Sequence, residues 1–343
     1  VTVSLEQLRR CSVAVDLGAA RTRVYLKRFG VIVDAPSAVA VNTRSGALIA
    51  VGAPAERMVG RTPGHIRVVR PVAGGTVVDI DMARRMLRAL LGDRLRRAWR
   101  RRPTALRAAV CVPHGAEPLA RRAAVETLTG LGARRVELVD GLIAAAVGAG
   151  LPVAEPEATM IVLCGASTSH AAVLSLGSTV AAETVPVGGE IIDRAVVQHL
   201  RSHHELLLPG QAVHPLHLAM SVAPAGQAEA EVYGRDVTTG RFRTVSVDTD
   251  GVRAAIRPPL TSLVDAIRGV LRQCQPDLVA DLADRGITLV GGSAALPGLD
   301  TMLRQATGMP VRVAEQPAVC AVEGLGAMLE GRVQPFHRDP LGR

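Results

Sequence analysis

The sequence predicts a duplicated α/β protein in which two domains of like layout face each other across a cleft. Three observations carry that prediction. Val13–Tyr25 (VAVDLGAARTRVY) reads as an apolar strand ending in Asp16, a tight turn opened by Gly18, and a returning strand. Met160–Leu176 (MIVLCGASTSHAAVLSL) repeats the layout roughly 150 residues later: apolar strand, Gly165, a small polar turn of Ala166-Ser167-Thr168-Ser169, apolar strand. Around them, short apolar strands alternate with helical segments, as in an α/β core. Amides in such turns can point at an anion. Asp16, at its strand end, would then stand beside any metal that accompanies a phosphate. A third element, Ile287–Leu299 (ITLVGGSAALPGL), is a buried strand whose Gly291-Gly292 turn lets backbone approach a flat ligand closely, as an adenine requires.

A chain of 343 residues is long enough for two separate cores, and 48% apolar content fits a globular protein. The net charge of +9 is almost all arginine, Lys27 being the one lysine. Chemistry that needs a lysine elsewhere is excluded, and the P-loop pattern is absent. Cys11, Cys111, Cys164, Cys274 and Cys320 are scattered among mostly apolar neighbours with no CxxC. They read as small hydrophobes in a reducing compartment. No signal-like segment opens the sequence, and the longest apolar stretch, Gly141–Ala154, falls short of the ~20 residues that a bilayer span takes. An intracellular protein is expected.

Val1–Arg10 reads as a short helix or a frayed terminus. From Val31 the chain alternates, turns at Ser45-Gly46 and alternates again, a β-hairpin in a small insert. Asp81–Arg102 is the clearest helix, with Met82, Met86, Leu87, Leu90, Leu91, Leu95 and Trp99 at three- and four-residue spacing. Its end sets six arginines, among them Arg96, Arg97, Arg100 and Arg101, around the chain's one tryptophan, Trp99. That pattern suits a solvated helix end or an anionic membrane surface with Trp99 at headgroup level. Nucleic acid ranks last, because stacking platforms need more aromatics than this chain has. Leu151–Glu157, with Pro152 and Pro156, reads as a hinge. His199, His203 and His204 lack an HExxH frame and a third ligand, so no zinc site is expected. Pro258-Pro259 should break or kink the helix predicted over Val252–Leu271.

The ordered series VAVDLGAARTRVYL, APSAVAV and VGAPAERMVGRTPGHIRVVRP within Val13–Asp79, then Val185–Arg194, Asp277–Asp300 and Glu323–Glu330, resembles the MreB/Mbl family of bacterial actin-like, rod-shape-determining proteins. The resemblance runs over nearly the whole chain. It implies an actin-like (ribonuclease H-like, duplicated) α/β fold of two domains, each with a small inserted subdomain, and a nucleotide cleft between them. Domain I is expected over 1–152, with its core at 1–31 and 76–152, its insert at 32–75, and helix 318–330 packing back on it. Domain II is expected over 153–317, with its core at 153–188 and 248–317 and its insert at 189–247; 331–343 is a tail. The resemblance also implies filaments at the inner membrane face, by self-association or co-assembly with an MreB-type paralogue, and contact with membrane proteins of cell-wall synthesis.

The departures from the family pattern bear on chemistry. The family's first phosphate turn is Asp-Leu-Gly-Thr-Ala-Asn-Thr. Here Asp16, Leu17, Gly18 and Thr22 remain, as does Ala20, whereas Ala19 and Arg21 replace polar residues. The second turn begins with Asp and carries three glycines and Thr. Here Leu163 stands at the Asp position, Ala166 and Ser167 replace two glycines, and Gly165 and Thr168 remain. Gly141 falls on the catalytic Glu, with Asp140 as a substitute base if the correspondence shifts by one. Leu216 and Ala219 fall near the Glu and Lys that flank the nucleoside. Gly291 and Gly292 remain in the adenine-side turn and Ser293 replaces its third glycine. A Mg-nucleotide site balances metal and polyphosphate with carboxylates and turn amides, so the losses predict weak ATP binding and poor Mg²⁺ retention. Losing a water-orienting base typically costs about 10²–10⁴-fold, so hydrolysis is expected to be very slow or absent. An active actin-type ATPase is the alternative. A sugar kinase lacks its catalytic carboxylate here, and a chaperone its substrate domain.

Overall fold

A computed structural model of the chain describes residues 4–100, 106–208, 213, 229–296 and 298–333. Two five-stranded sheets form its frame. The first runs Arg135–Asp140, Arg107–Val112, Val13–Leu17, Arg21–Leu26, Gly30–Pro36. The second runs Ser178–Val185, Ser169–Ser175, Thr159–Cys164, Ile287–Val290, Val311–Val313. In each, three consecutive strands form an antiparallel meander and two later strands add in parallel on the side of its first strand. One topology is built twice.

Period-2 alternation sorts the side chains of each sheet onto two faces. Val13, Val15, Leu17, Val24 and Val110 pack against helices Ile80–Arg100 and Pro118–Thr129. Ala14, Tyr25, Ala109 and Cys111 face the other way, toward helices Leu5–Arg9, Gly141–Gly148 and Cys320–Glu330. In the second sheet Met160, Val162 and Val173 pack under helix Thr249–Gln273, while Ile161, Ala172 and Leu174 meet helix Gly141–Gly148. The order is helices, sheet, two helices, sheet, helices. The two central helices are shared by both halves. Their contact is backbone to backbone: a Cβ on Gly148 would lie 1.8 Å from the Cys320 carbonyl oxygen, and one on Gly324 would lie 1.8 Å from that of Ala144.

Two smaller sheets stand apart from this frame. Val39–Asn42 lies between Leu48–Val51 and Ile66–Val69, and Glu229–Asp236 between Leu206–Leu207 and Phe242–Asp248. Strand Gly30–Pro36 pairs with Arg21–Leu26 and so belongs to the first large sheet, not to the small insert where alternation alone had put it. The hairpin turning at Ser45-Gly46 begins only at Val39.

Two further expectations change. Helix Thr249–Gln273 runs through Pro258 and Pro259 unbroken. Each proline costs about 3 kcal/mol in a helix interior. The stripe Leu260, Leu263, Val264, Ile267 and Val270 is buried on the second sheet, at roughly 1.5–3 kcal/mol per side chain, and that outweighs the prolines, the first of which is exposed. Helix Ile80–Arg100 is interrupted at Gly92 (φ 52°, ψ −163°). At the other end, Leu5–Arg9 is a capped helix: Ser4 Oγ accepts from Gln7 N at 3.3 Å, and Leu8 is buried under Cys320–Glu330. No described helix is long and apolar enough to cross a membrane.

Candidate functional site

The two glycine turns are built alike. Gly18 N donates to Arg21 O at 3.0 Å, and Gly165 N donates to Thr168 O at 2.9 Å. A Cβ on either glycine would lie 2.7 Å from that same carbonyl oxygen, so only glycine closes either turn. The amides of Ala19, Ala20, Ala166 and Ser167 donate to no carbonyl among the described residues, which leaves them for a ligand. The carbonyls behind the second turn are engaged: Gly189 N and Ser293 Oγ donate to Gly165 O, and Glu190 N to Ala166 O.

Ser293 thereby ties the third element to the second turn. Gly291 has φ 91°, and a Cβ there would lie 2.3 Å from the Cys164 carbonyl oxygen. A Cβ on Gly292 would meet nothing within 4 Å, so that side of the turn is open. The halves touch directly where Ser167 Oγ accepts from Gly74 N at 3.0 Å. A glycine at 167 could not make this link. Ser167→Gly is expected to speed hydrogen exchange at the Gly74 amide by roughly 2- to 10-fold, the equivalent of one hydrogen bond worth ~0.5–1.5 kcal/mol.

Not every predicted site residue faces the ligand space. Thr22 is fully buried; its hydroxyl pairs with Ser37 Oγ at 2.8 Å, and Ser37 Oγ donates to Gly18 O at 2.7 Å. Thr22 therefore holds the first turn from behind rather than meeting a phosphate. Arg21 turns to the neighbouring strand, with Nε on Asp34 Oδ1 at 2.6 Å and Nη2 on the Asp34 carbonyl at 3.0 Å. Arg96, Arg97, Trp99 and Arg100 fall in helix Ile80–Arg100 beyond Gly92, but their side chains lie outside the described residues, as do Arg101, Leu216 and Ala219.

Asp140 caps helix Gly141–Gly148. Its Oδ1 accepts from Leu142 N at 2.8 Å, and its Oδ2 pairs with His114 Nδ1 at 2.5 Å. Both oxygens are thus engaged. Gly141 is the first helical residue, and a Cβ there would come within 3.3 Å of the Val112 carbonyl oxygen. A groove of about 560 Å³ starts at His114 and Asp140 and follows the edge strand Arg135–Asp140 toward Leu8 and Met328, away from the two turns.

His170 approaches the same place from the second sheet. Its Nε2 pairs with Thr168 Oγ1 at 3.3 Å and its Nδ1 with Thr184 Oγ1 at 2.8 Å. Burial pushes its imidazole below the usual 6.5, the Asp140 charge opposes, and His114 adds to the lowering. Folding thus favours neutral His170. This contribution is intact above pH 6.5 and is lost as the pH falls through that value toward the depressed folded one. His170→Gln is expected to flatten the fall in stability below pH 6.5, read from urea midpoints at a series of pH values.

Asp16 sits across the cleft floor. Burial raises its carboxyl, Arg23 opposes, and Asp34 adds to the rise. Arg23 Nη1 stands 3.8 Å from Asp16 Oδ2, and its Nε 3.2 Å from Asp34 Oδ1. Burial lifts the Cys111 thiol, with Asp16 and Asp140 both adding, so these two carboxyls flank it. A divalent cation does not fit here. Beyond waters and phosphate oxygens such an ion takes one or two carboxylates, whereas Asp16 faces a guanidinium at 3.8 Å and Leu163 supplies no oxygen. No described group of three or more His, Cys, Asp or Glu could hold a metal. The residues that sequence reasoning missed are Arg23, Ser37, His114 and His170; only for His170 was a signal present, at the end of the second turn.

The chain matches the model of the MreB/Mbl protein family over residues 10–336. It belongs to that family. The cell shape-determining protein MreB of Escherichia coli K12 is 37% identical over 323 residues, 92% of each chain. The cell shape-determining protein Mbl of Bacillus subtilis 168 is 32% identical over 320 residues, covering 93% of this chain and 95% of that one. MreB5 of Spiroplasma citri bound to ADP superposes with a TM-score of 0.85 at 25% identity, covering 91% and 94% of the two chains. The MamK double helical filament superposes with a TM-score of 0.75 at 19% identity, over 94% and 99%. The fold of this MreB/Mbl chain is actin-like.

Proposed function

We propose that this MreB/Mbl-family chain is an actin-like cytoskeletal protein of cell shape and wall assembly. Its cleft holds a nucleotide weakly and hydrolyses it slowly. The observation that carries the reading is the pair of glycine turns closed in the same way, the second tied to the other half through Ser167 and Gly74, in a fold shared with proteins whose names state cell-shape determination and bound ADP. The losses at Leu163 and Gly141 support slow chemistry, because neither residue carries a carboxylate or a water-orienting group and the adjacent Asp140 is tied to Leu142 N and His114. What this chain's own residues do is grip and tie: turn amides meet phosphate, Gly292 leaves room for a base, and Ser167 and Ser293 brace the second turn.

Self-association into filaments fits the likeness to a filament-forming fold. Co-assembly with an MreB-type paralogue, contact with wall-synthesis membrane proteins and a peripheral place on an anionic inner membrane face are parts of the same reading. The arginines around Trp99 support the last of these. Electron microscopy of the purified protein, with and without ATP and anionic vesicles, tests it. Filaments that gather on vesicles are expected. Monodisperse protein under every condition, together with normal cell shape after depletion, would refute the cytoskeletal reading.

A further inference from the structure

The duplication places Arg23 and His170 at matching positions. Arg23 is the cross-strand partner of Asp16, two residues before Gly18; His170 is the cross-strand partner of Leu163, two residues before Gly165. Each basic side chain therefore stands on the returning strand of its hairpin, beside the position where the family pattern puts a carboxylate. On the first sheet the row reads Asp16, Arg23, Asp34. Arg23 is 8% exposed, and its Nε makes no hydrogen bond of acceptable geometry despite the nearby Asp34 oxygen. A guanidinium has five N–H donors, and its two carboxylate neighbours at 3.2 and 3.8 Å leave most of them unspent. Burying such a group under-satisfied is costly, and the free amides of Ala19 and Ala20 lie in the turn between the two strands.

We infer that Arg23 is the resident countercation of this cleft, and that a nucleoside polyphosphate binds here without a divalent metal. The inference rests on reading the cleft as a nucleotide site and adds how charge is balanced in it. A metal would need the oxygens that Leu163 lacks and that Asp16 turns to Arg23. A guanidinium supplies fixed positive charge and directed donors to phosphate oxygens in its place.

Fluorescence titration with a methylanthraniloyl-labelled ATP, in EDTA and in excess Mg²⁺, tests this on the intact chain. The wild-type Kd in EDTA is expected to lie within about threefold of that in Mg²⁺. Arg23→Leu is expected to raise the EDTA Kd at least tenfold, the size of one lost charge-assisted hydrogen bond, and Arg23→Lys to restore part of it. Wild-type binding more than tenfold weaker in EDTA than in Mg²⁺ would overturn the inference and leave the nucleotide reading standing. That comparison needs no variant, so a misfolded Arg23→Leu does not blunt it; an unchanged Kd in a folded Arg23→Leu overturns it equally. Absence of binding in both buffers would remove the nucleotide reading and the inference together.

Discussion

Gly324→Ala is expected to destabilise the protein by about 3 kcal/mol or more, at or above the upper end of ordinary overpacking costs. The obstacle decides the magnitude. The added methyl would lie 1.8 Å from the Ala144 carbonyl oxygen and 2.8 Å from the Gly148 nitrogen. Backbone cannot step aside by changing rotamer, so the helices must part. Both are held between the two sheets: Leu142, Ala145 and Ala146 sit against Ile161 and Leu174 of the second sheet, while Leu325 and Met328 pack with Ala14 and Tyr25 of the first. Parting the helices therefore loosens two cores at once. The melting temperature should drop by about 6 °C or more, from ~2 °C or more per kcal/mol for chains above 150 residues. Gly64→Ala serves as the control, since a Cβ there meets nothing within 4 Å, and it should stay within about 0.5 kcal/mol of wild type.

Steady phosphate release from ATP is expected to be at least ~10²-fold slower than in a relative with Glu where this chain has Gly141. Two features of the site argue for it. Gly141 has no group to orient water. Asp140, next to it, is held by Leu142 N on Oδ1 and by His114 on Oδ2, so its carboxylate is oriented as a helix cap and not toward an attacking water. Gly141→Glu should raise release at least ~10-fold; its carboxylate would stand at a helix N-terminus, where negative charge is favoured. Turnover at the family rate in wild type, abolished by Asp140→Asn, would instead make the His114–Asp140 pair the working base and this chain an active ATPase.

Much of the fold was legible because each hairpin carries its own closure. Gly18 and Gly165 are needed for contacts three residues away, and such local needs leave a mark in sequence. The alternation of Val13, Val15 and Leu17 likewise announces a strand with one face on a core. What misled was context. Residues 30–36 alternate like any half-buried strand, and nothing in them says which sheet they join. Pro258 and Pro259 signal a break that burial overrides. At the site, Asp16 and Gly141 were readable from their place in the chain. The roles of Arg23, His114 and Ser37 were not, because each depends on a partner from another strand or loop.

The sequence by itself determined that two glycine-closed hairpins exist and that the carboxylates expected at 163 and 141 are missing, since turn geometry and residue chemistry act over a few neighbours. Only the tertiary structure decided that Asp16 faces an arginine, that Asp140 is tied to His114, and that Ser167 bridges to Gly74. The first pairing depends on the register of one hairpin; the other two form when segments far apart in the chain are brought within hydrogen-bond reach by the burial of both sheets on two shared helices. No pattern along a single chain records which polar groups that packing will leave side by side.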